Sequence, residues 1–132
     1  SLSHDIAVRT TLVPDLIKRA SAAVHEIHPQ AEILIVSHIG DGNIHFIAHF
    51  THHQWSCIED DAAVTTEIMK RVHDVVDELN GTFSAEHGIG RKLVKELATR
   101  SDPVRMALMQ SLRELIDPDR QMNPGSVLAI EP

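Results

Sequence analysis

The chain has 132 residues, 42% hydrophobic and 23% charged, which is typical of a soluble globular protein and long enough for one domain with its own core. The formal net charge of -7 and the lack of a lysine or arginine cluster exclude the basic surface that nucleic-acid binding requires. No apolar run approaches the roughly 20 residues of a transmembrane segment, and no signal-peptide pattern opens the chain. A single cysteine, Cys57, excludes an internal disulfide and favours a reducing, cytoplasmic location.

The first half of the chain predicts a strand, a helix and a hairpin. Alternating apolar residues predict a short strand over residues 5–10. Apolar residues then recur at helical spacing over residues 13–27, until a proline ends this first long helix. Two apolar runs, residues 33–36 and 44–50, flank the Gly-Asp-Gly-Asn segment of residues 40–43. All four of these residues are suited to a turn, so the pattern predicts a β-hairpin.

The hairpin is the feature that suggests chemistry. If residues 40–43 form the turn, His38 stands directly opposite His45, with the two Cβ atoms about 5 Å apart. Strand side chains alternate between the two faces of a sheet, so both histidines share one face. The apolar residues expected on this histidine face are Leu34, Val36 and Ile47. The residues expected on the other face are Ile35, Ser37, Phe46 and Ala48.

The second half predicts another long helix, a short strand and a helical tail. An apolar stripe that starts at Val64 predicts the second long helix, which ends at a left-handed cap, Asn80-Gly81. Residues 82–85 are expected to form a short strand. A short helix follows Arg91, and Asp102-Pro103 opens the last helix. The residues expected to face inward from that last helix are Val104, Ala107, Leu108, Leu112 and Leu115.

The order of these elements predicts the fold class. A βαββαβ order is typical of a ferredoxin-like α+β fold, an antiparallel sheet with two long helices on one face, here followed by a helical C-terminal tail. We expect residues 1–132 to form a single domain. The histidine face is then uncovered, which exposes apolar side chains that a monomer normally buries. We therefore expect another domain to cover this face, and the chain on its own to self-associate.

Several motifs in sequence order indicate a family. His38-Ile-Gly-Asp-Gly-Asn-Ile-His45 is followed by Ser84-Ala-Glu-His-Gly-Ile-Gly90, and later by Asp117-Pro-Asp and Met122-Asn-Pro-Gly125. Together they resemble the C-terminal domain of FAD-linked oxidases. These flavoproteins include D-lactate dehydrogenases, the flavin subunit of glycolate oxidase and D-2-hydroxyglutarate dehydrogenases. The resemblance runs from His4-Asp5 to Val127, and it implies the C-terminal part of a longer enzyme whose N-terminal FAD-binding domain lies outside this chain.

The resemblance also implies a metal site. In metal-dependent members, the two hairpin histidines and the glutamate of the Ala-Glu-His-Gly motif hold a divalent cation, usually zinc. These ligands fall on His38, His45 and Glu86. The next residue, His87, matches the family's candidate base.

Three further positions follow from the resemblance. Asn43 is placed within reach of the substrate or the metal, and Asn123 within reach of the flavin, while a role confined to a turn remains open for both. Ser3 departs from the family, which often has a lysine there that binds the substrate carboxylate. Either the substrate contact differs, or the native residue was lost at a cloning junction.

The chemistry of these residue types supports the same site independently. Two imidazoles and one carboxylate are a typical ligand set for a catalytic zinc that keeps a position open. A 2-hydroxy acid, such as D-lactate, glycolate or D-2-hydroxyglutarate, can chelate such an ion. The expected reaction yields the 2-oxo acid: His87 takes the hydroxyl proton while hydride moves to FAD, and a downstream acceptor then receives the electrons. The chain alone should be inactive.

Two other classes of function remain open at this stage. A free-standing ferredoxin-like module can use the same two histidines and glutamate for metal-assisted hydrolysis, or it can serve as a ligand-sensing or dimerisation unit. The hydrolase hypothesis predicts bound metal and activity without flavin. The sensing hypothesis predicts neither.

Overall fold

A computed structural model describes residues 1–130. These residues divide into two compact units, Ser1–Glu86 and the segment that begins at His87. The fold is mixed α/β with an antiparallel sheet. In the described part of the chain, no helix is long and apolar enough to cross a membrane. The expectation of a single domain over residues 1–132 stays a prediction.

The first unit contains a three-stranded sheet. Its elements are β1 (Leu2–Ala7), α1 (Val13–Ile27), β2 (Glu32–His38), β3 (Asn43–His49), α2 (His52–Ser56) and α3 (Asp61–Glu78). The strands pair in the order β1-β3-β2, each antiparallel to its neighbour. Strands β1 and β2 therefore run in the same direction with β3 inserted between them, which is the split β-α-β part of the predicted fold.

The predicted fourth strand, residues 82–85, is wrong. Thr82 forms only an isolated antiparallel bridge with Ala7. The Thr82 hydroxyl lies 3.3 Å from the Ser84 N–H and 3.2 Å from the Ser84 carbonyl oxygen. Such local side-chain bonds compete with a strand ladder, and they bend the chain here. The complete ferredoxin-like arrangement consequently stays a prediction.

One apolar core lies between the sheet and the two long helices. The periodic stripes of α1 and α3 are confirmed, because the two helices contact each other and bury those residues. Phe46 on β3 is fully buried in this core. His73 is buried beside this core: it is 2% exposed, and its ring packs edge-on against the His4 ring with 5.4 Å between centroids. The other large, fully buried apolar side chains are Ile6, Leu16, Ile44, Ile68, Val13, Val24, Val72 and Val76.

The hairpin register differs from the prediction by two residues. His38 pairs with Asn43, and His45 pairs with Val36. The cause is the connection, a 3-10 turn over Ile39–Asp41 followed by Gly42 in the left-handed conformation (φ 72°). A shift of two preserves the faces, because side chains alternate with period two. His38 is therefore diagonal to His45 rather than opposite it.

The faces themselves are as predicted. Leu34 and Val36 are exposed on the histidine face, and Ile47 is half-buried there. Phe46 and Ala48 point to the opposite side and are fully buried. The sheet therefore has a core face and a face whose apolar side chains remain accessible.

The second unit contains two helices, α4 (Val94–Arg100) and α5 (Pro103–Ile116). Asp102 caps α5 as predicted, since its carboxylate accepts hydrogen bonds from the backbone N–H groups of residues 104 and 105 at 2.8 and 3.1 Å. The predicted inward side of α5 is wrong. The side chains expected inside are all exposed: Val104, Ala107, Leu108, Leu112 and Leu115. The half-buried side chains of α5 are Met106, Met109, Gln110 and Arg113.

Candidate functional site

The candidate site is centred on His45, in the middle strand of the sheet. His45 projects from the histidine face of β3, and its side chain is 19% exposed. Its Nε2 lies 2.7 Å from Oε1 of Glu86, within hydrogen-bonding distance. When Nε2 carries a proton, it donates to this carboxylate. The structure thus brings together two of the three residues predicted as metal ligands.

His38 approaches the same carboxylate from the end of β2. Its Nδ1 lies 3.9 Å from Oε2 of Glu86, too far for a hydrogen bond, and its side chain is 64% exposed. The rings of His38 and His45 are 6.4 Å apart between centroids and nearly perpendicular. Each oxygen of Glu86 therefore faces a different imidazole, so all three predicted ligands are neighbours.

Glu86 is held in place by the first strand. The backbone N–H of Glu86 donates to Oδ2 of Asp5 at 2.9 Å, and the N–H of Ala85 donates to the Asp5 carbonyl at 3.2 Å. Asp5 pairs with His45 across β1 and β3, so both side chains lie on the same face of the sheet. Sequence reasoning gave Asp5 no role, because a bond between residues 81 positions apart leaves no local pattern.

Asn43 is buried beside the histidines. It pairs with His38, so it belongs to the histidine face, yet it is only 6% exposed. Its side-chain Oδ1 accepts no hydrogen bond from any residue that the structure describes. A buried amide oxygen without a partner is unfavourable by about 1–3 kcal/mol. The structure therefore describes Asn43 as a buried residue of the histidine face whose amide oxygen is not satisfied by these residues.

His87 and Asn123, two other residues predicted for the site, belong to the second unit. His87 follows Glu86 directly and is exposed. Asn123 is also exposed, adopts a left-handed backbone (φ 48°), and accepts a hydrogen bond through its carbonyl from the Ser126 N–H at 3.0 Å. Asn123 therefore forms part of a turn, as the sequence predicts, while its contact with the flavin stays a prediction.

Ser3 lies on the same face as the candidate site. In β1, Ser3 pairs with Ile47 of β3, and its side chain is exposed. Along β1 it is two residues from Asp5, and side chains two residues apart in a strand point the same way. The position at which family members often have a lysine is therefore on the surface that carries His45.

Comparison with known proteins adds a family to this geometry. The family described as FAD linked oxidases, C-terminal domain, matches residues 1–127. A D-2-hydroxyglutarate dehydrogenase from Stutzerimonas stutzeri (strain A1501) is 32% identical over 96% of this chain and 27% of its own length. A D-lactate dehydrogenase from Anaerostipes hadrus is 28% identical, over 93% of the chain and 25% of its own length. A probable mitochondrial D-lactate dehydrogenase from Danio rerio is 30% identical, over 97% of this chain and 24% of its own length.

The match covers nearly all of this chain but little of each relative. The chain spans about a quarter of the length of these curated relatives. The three motifs that carry His38, Glu86 and Asn123 all lie within the matched residues. The chain belongs to the family of FAD-linked oxidase C-terminal domains.

Proposed function

We propose that this chain is the substrate- and metal-binding C-terminal part of an FAD-dependent dehydrogenase. The enzyme oxidises a 2-hydroxy acid of the D-lactate, glycolate or D-2-hydroxyglutarate class to the 2-oxo acid, with hydride transfer to the flavin. The observation that carries the proposal is the position of Glu86, whose two oxygens face His45 and His38 at 2.7 and 3.9 Å. The names of the relatives support the substrate class.

The donor set fits a divalent metal. On one accessible face of the sheet, the Glu86 carboxylate lies 2.7 Å from the His45 imidazole and 3.9 Å from the His38 imidazole. Two imidazoles and one carboxylate are a ligand combination that suits zinc with a coordination position left for substrate. A bound zinc ion supplies Lewis acidity, which lowers the pKa of a coordinated hydroxyl, while the FAD of the full-length enzyme accepts the hydride. In this proposal, His38, His45 and Glu86 hold the ion.

The other residues act on the substrate directly. A ring nitrogen of His87 accepts the hydroxyl proton, and adjacency in the chain keeps it near Glu86, because consecutive Cα atoms are about 3.8 Å apart. Asn43, which pairs with His38, lies within reach of the substrate or the metal in this proposal. Leu34, Val36 and Ile47 help to exclude water once a substrate is covered. In this proposal Asn123 would border the flavin of the full-length enzyme, and the flavin would supply the link to a downstream electron acceptor.

The metal assignment is tested by removing one ligand. In the full-length enzyme, His45→Ala should abolish stoichiometric metal, because it deletes the best-placed imidazole and leaves two ligands. The matched control is His49→Ala. His49 shares the face of His45 on β3, but its Nδ1 is engaged by the Ser1 hydroxyl at 2.8 Å. Elemental analysis by plasma mass spectrometry after dialysis gives the measurement, and equal metal content in His45→Ala and wild type would contradict the proposal.

The role of His87 is tested separately. In the full-length enzyme, His87→Asn should lower kcat by about 10²-fold or more while flavin and metal contents stay normal, because a general base contributes to chemistry and not to binding. Turnover is measured with D-lactate, glycolate and D-2-hydroxyglutarate, using a redox dye as electron acceptor. The control is His52→Asn, an exposed histidine at the start of α2. Near-normal turnover in His87→Asn would remove this residue from the mechanism.

A further inference from the structure

The segment that carries Glu86 is not part of the sheet. Residues 83–86 lie outside the strands, and Thr82 forms only an isolated bridge with Ala7. A regular ladder of backbone hydrogen bonds therefore does not extend to Glu86. The Glu86 side chain is also 40% exposed, so packing alone does not confine it. A carboxylate in this situation needs another constraint to stay beside two imidazoles.

The side chain of Asp5 supplies such a constraint. Its Oδ2 accepts the backbone N–H of Glu86 at 2.9 Å, while the Asp5 carbonyl oxygen accepts the N–H of Ala85 at 3.2 Å. One residue of β1 thus binds two consecutive residues of the segment. A hydrogen bond to an ionised acceptor is stronger than one between neutral groups. The bond to Oδ2 is therefore the stronger of the two, and it acts directly on the backbone of Glu86.

Asp5 is also the cross-strand neighbour of the imidazole that Glu86 contacts. Asp5 and His45 pair across β1 and β3, and residues directly opposite each other have Cβ atoms about 4.5–5.5 Å apart. Oε1 of Glu86 lies 2.7 Å from Nε2 of His45. The strand pairing fixes Asp5 relative to His45, and the hydrogen bond fixes Glu86 relative to Asp5. The distance between the carboxylate and the imidazole thus depends on Asp5.

We propose that Asp5 is a positioning residue that sets the affinity of this site for a divalent cation. It holds Glu86 in its orientation toward His45 and His38 before a cation arrives, and it does so by accepting a hydrogen bond rather than by its charge. Removing a group that orients a metal ligand typically lowers metal affinity by about 10–100-fold. This inference rests on the proposed function, since it takes His45 and Glu86 to be metal ligands.

Zinc titration of the full-length enzyme measures this role. Metal is first removed by dialysis against a chelator, and Zn²⁺ is then added in competition with a chromophoric chelator of known affinity. Asp5→Ala should bind zinc at least about tenfold more weakly than wild type, because it deletes the acceptor of the Glu86 N–H. The matched control is Asp61→Ala, which removes an exposed carboxylate at the start of α3 in the same unit and should keep wild-type affinity.

A conservative variant separates positioning from charge. Asp5→Asn keeps a side-chain oxygen that can accept the N–H of Glu86, but it removes the negative charge. It should therefore bind zinc within about threefold of wild type. An Asn variant as weak as Asp5→Ala would assign the effect to charge and would overturn the inference. Wild-type affinity in Asp5→Ala would overturn it as well.

Hydrogen exchange tests the arrangement without any substitution. In the metal-free, full-length wild type, the Glu86 amide should exchange at least about tenfold more slowly than in an unstructured peptide of the same sequence, because it donates to Asp5. Mass spectrometry with fragmentation to single residues gives the measurement. Exchange at the unstructured rate would show that Glu86 is not held before the cation arrives. That result would overturn the inference even where Asp5→Ala fails to fold.

The outcome is separable from that of the proposed metal site. His45→Ala deletes a proposed ligand, whereas Asp5→Ala deletes only the group that positions one. Zinc binding that is lost in His45→Ala but unchanged in Asp5→Ala would remove the positioning role and leave the metal site intact. Zinc that binds equally to wild type and His45→Ala would remove the metal proposal, and the positioning role with it.

Discussion

The two units of this chain use apolar residues differently. The first, Ser1–Glu86, buries sixteen apolar side chains in one cluster between its sheet and its two long helices. The second, over residues 87–130, buries two and exposes a row of them on α5. Both contain well-formed amphipathic helices. An amphipathic pattern thus shows that a helix needs a partner surface, but it does not show whether this chain provides one.

The comparison predicts the largest loss of stability from the core of the first unit. Phe46→Ala should lower the free energy of unfolding by about 3–5 kcal/mol, because it removes a fully buried ring from the centre of β3. Urea unfolding of the chain, followed by circular dichroism, measures the change. A loss below about 1 kcal/mol would show that the first unit does not depend on this core.

A smaller loss is expected at the hairpin glycines. Gly42 has φ 72°, and a Cβ there would lie 1.9 Å from the Val8 carbonyl oxygen, whereas a Cβ on Gly40 would meet no atom within 4 Å. Gly42→Ala should therefore be destabilising by about 2–3 kcal/mol, and Gly40→Ala should change stability by less than about 0.5 kcal/mol. The same urea measurement compares them, and equal effects would mean that the turn differs from the one described.

The smallest effect is expected on the exposed apolar side of α5, which carries Leu108. In this chain, Leu108→Ala should change the free energy of unfolding by no more than about 0.5 kcal/mol, because residue 108 is 60% exposed and little contact is lost. A large effect in this chain alone would place residue 108 in an interior that the structure does not contain.

The elements that the sequence predicted correctly are those determined by local pattern. The stripes of α1 and α3 follow the helical period, and the alternation in β3 assigns Phe46 to the core and His45 to the open face. The Asp102 cap of α5 was likewise predictable from local sequence. In each case, neighbouring residues carry all of the information.

The predictions that failed depended on distant contacts. The hairpin turn was predicted one residue too late, because the sequence alone does not show which of Gly40 and Gly42 must adopt the left-handed conformation. The close approach of Gly42 to the Val8 carbonyl oxygen, which requires a glycine there, involves a residue distant in sequence. The helical period of α5 predicted an apolar stripe, but it could not show whether that stripe faces the interior or the solvent. Within the site, the motifs predicted that Glu86 joins the histidines, but the anchor on Asp5 could not be read from the sequence.

The anchoring of Glu86 on Asp5 also links the site to folding. The bond joins positions near the two ends of the first unit, so Glu86 reaches His45 only after β1, β3 and the helices between have assembled. A ligand that requires both residues binds the folded state alone and stabilises the whole unit, by about 2.7 kcal/mol at a concentration one hundred times its Kd. The midpoint temperature of thermal unfolding of the first unit should therefore rise when a candidate ligand binds this site.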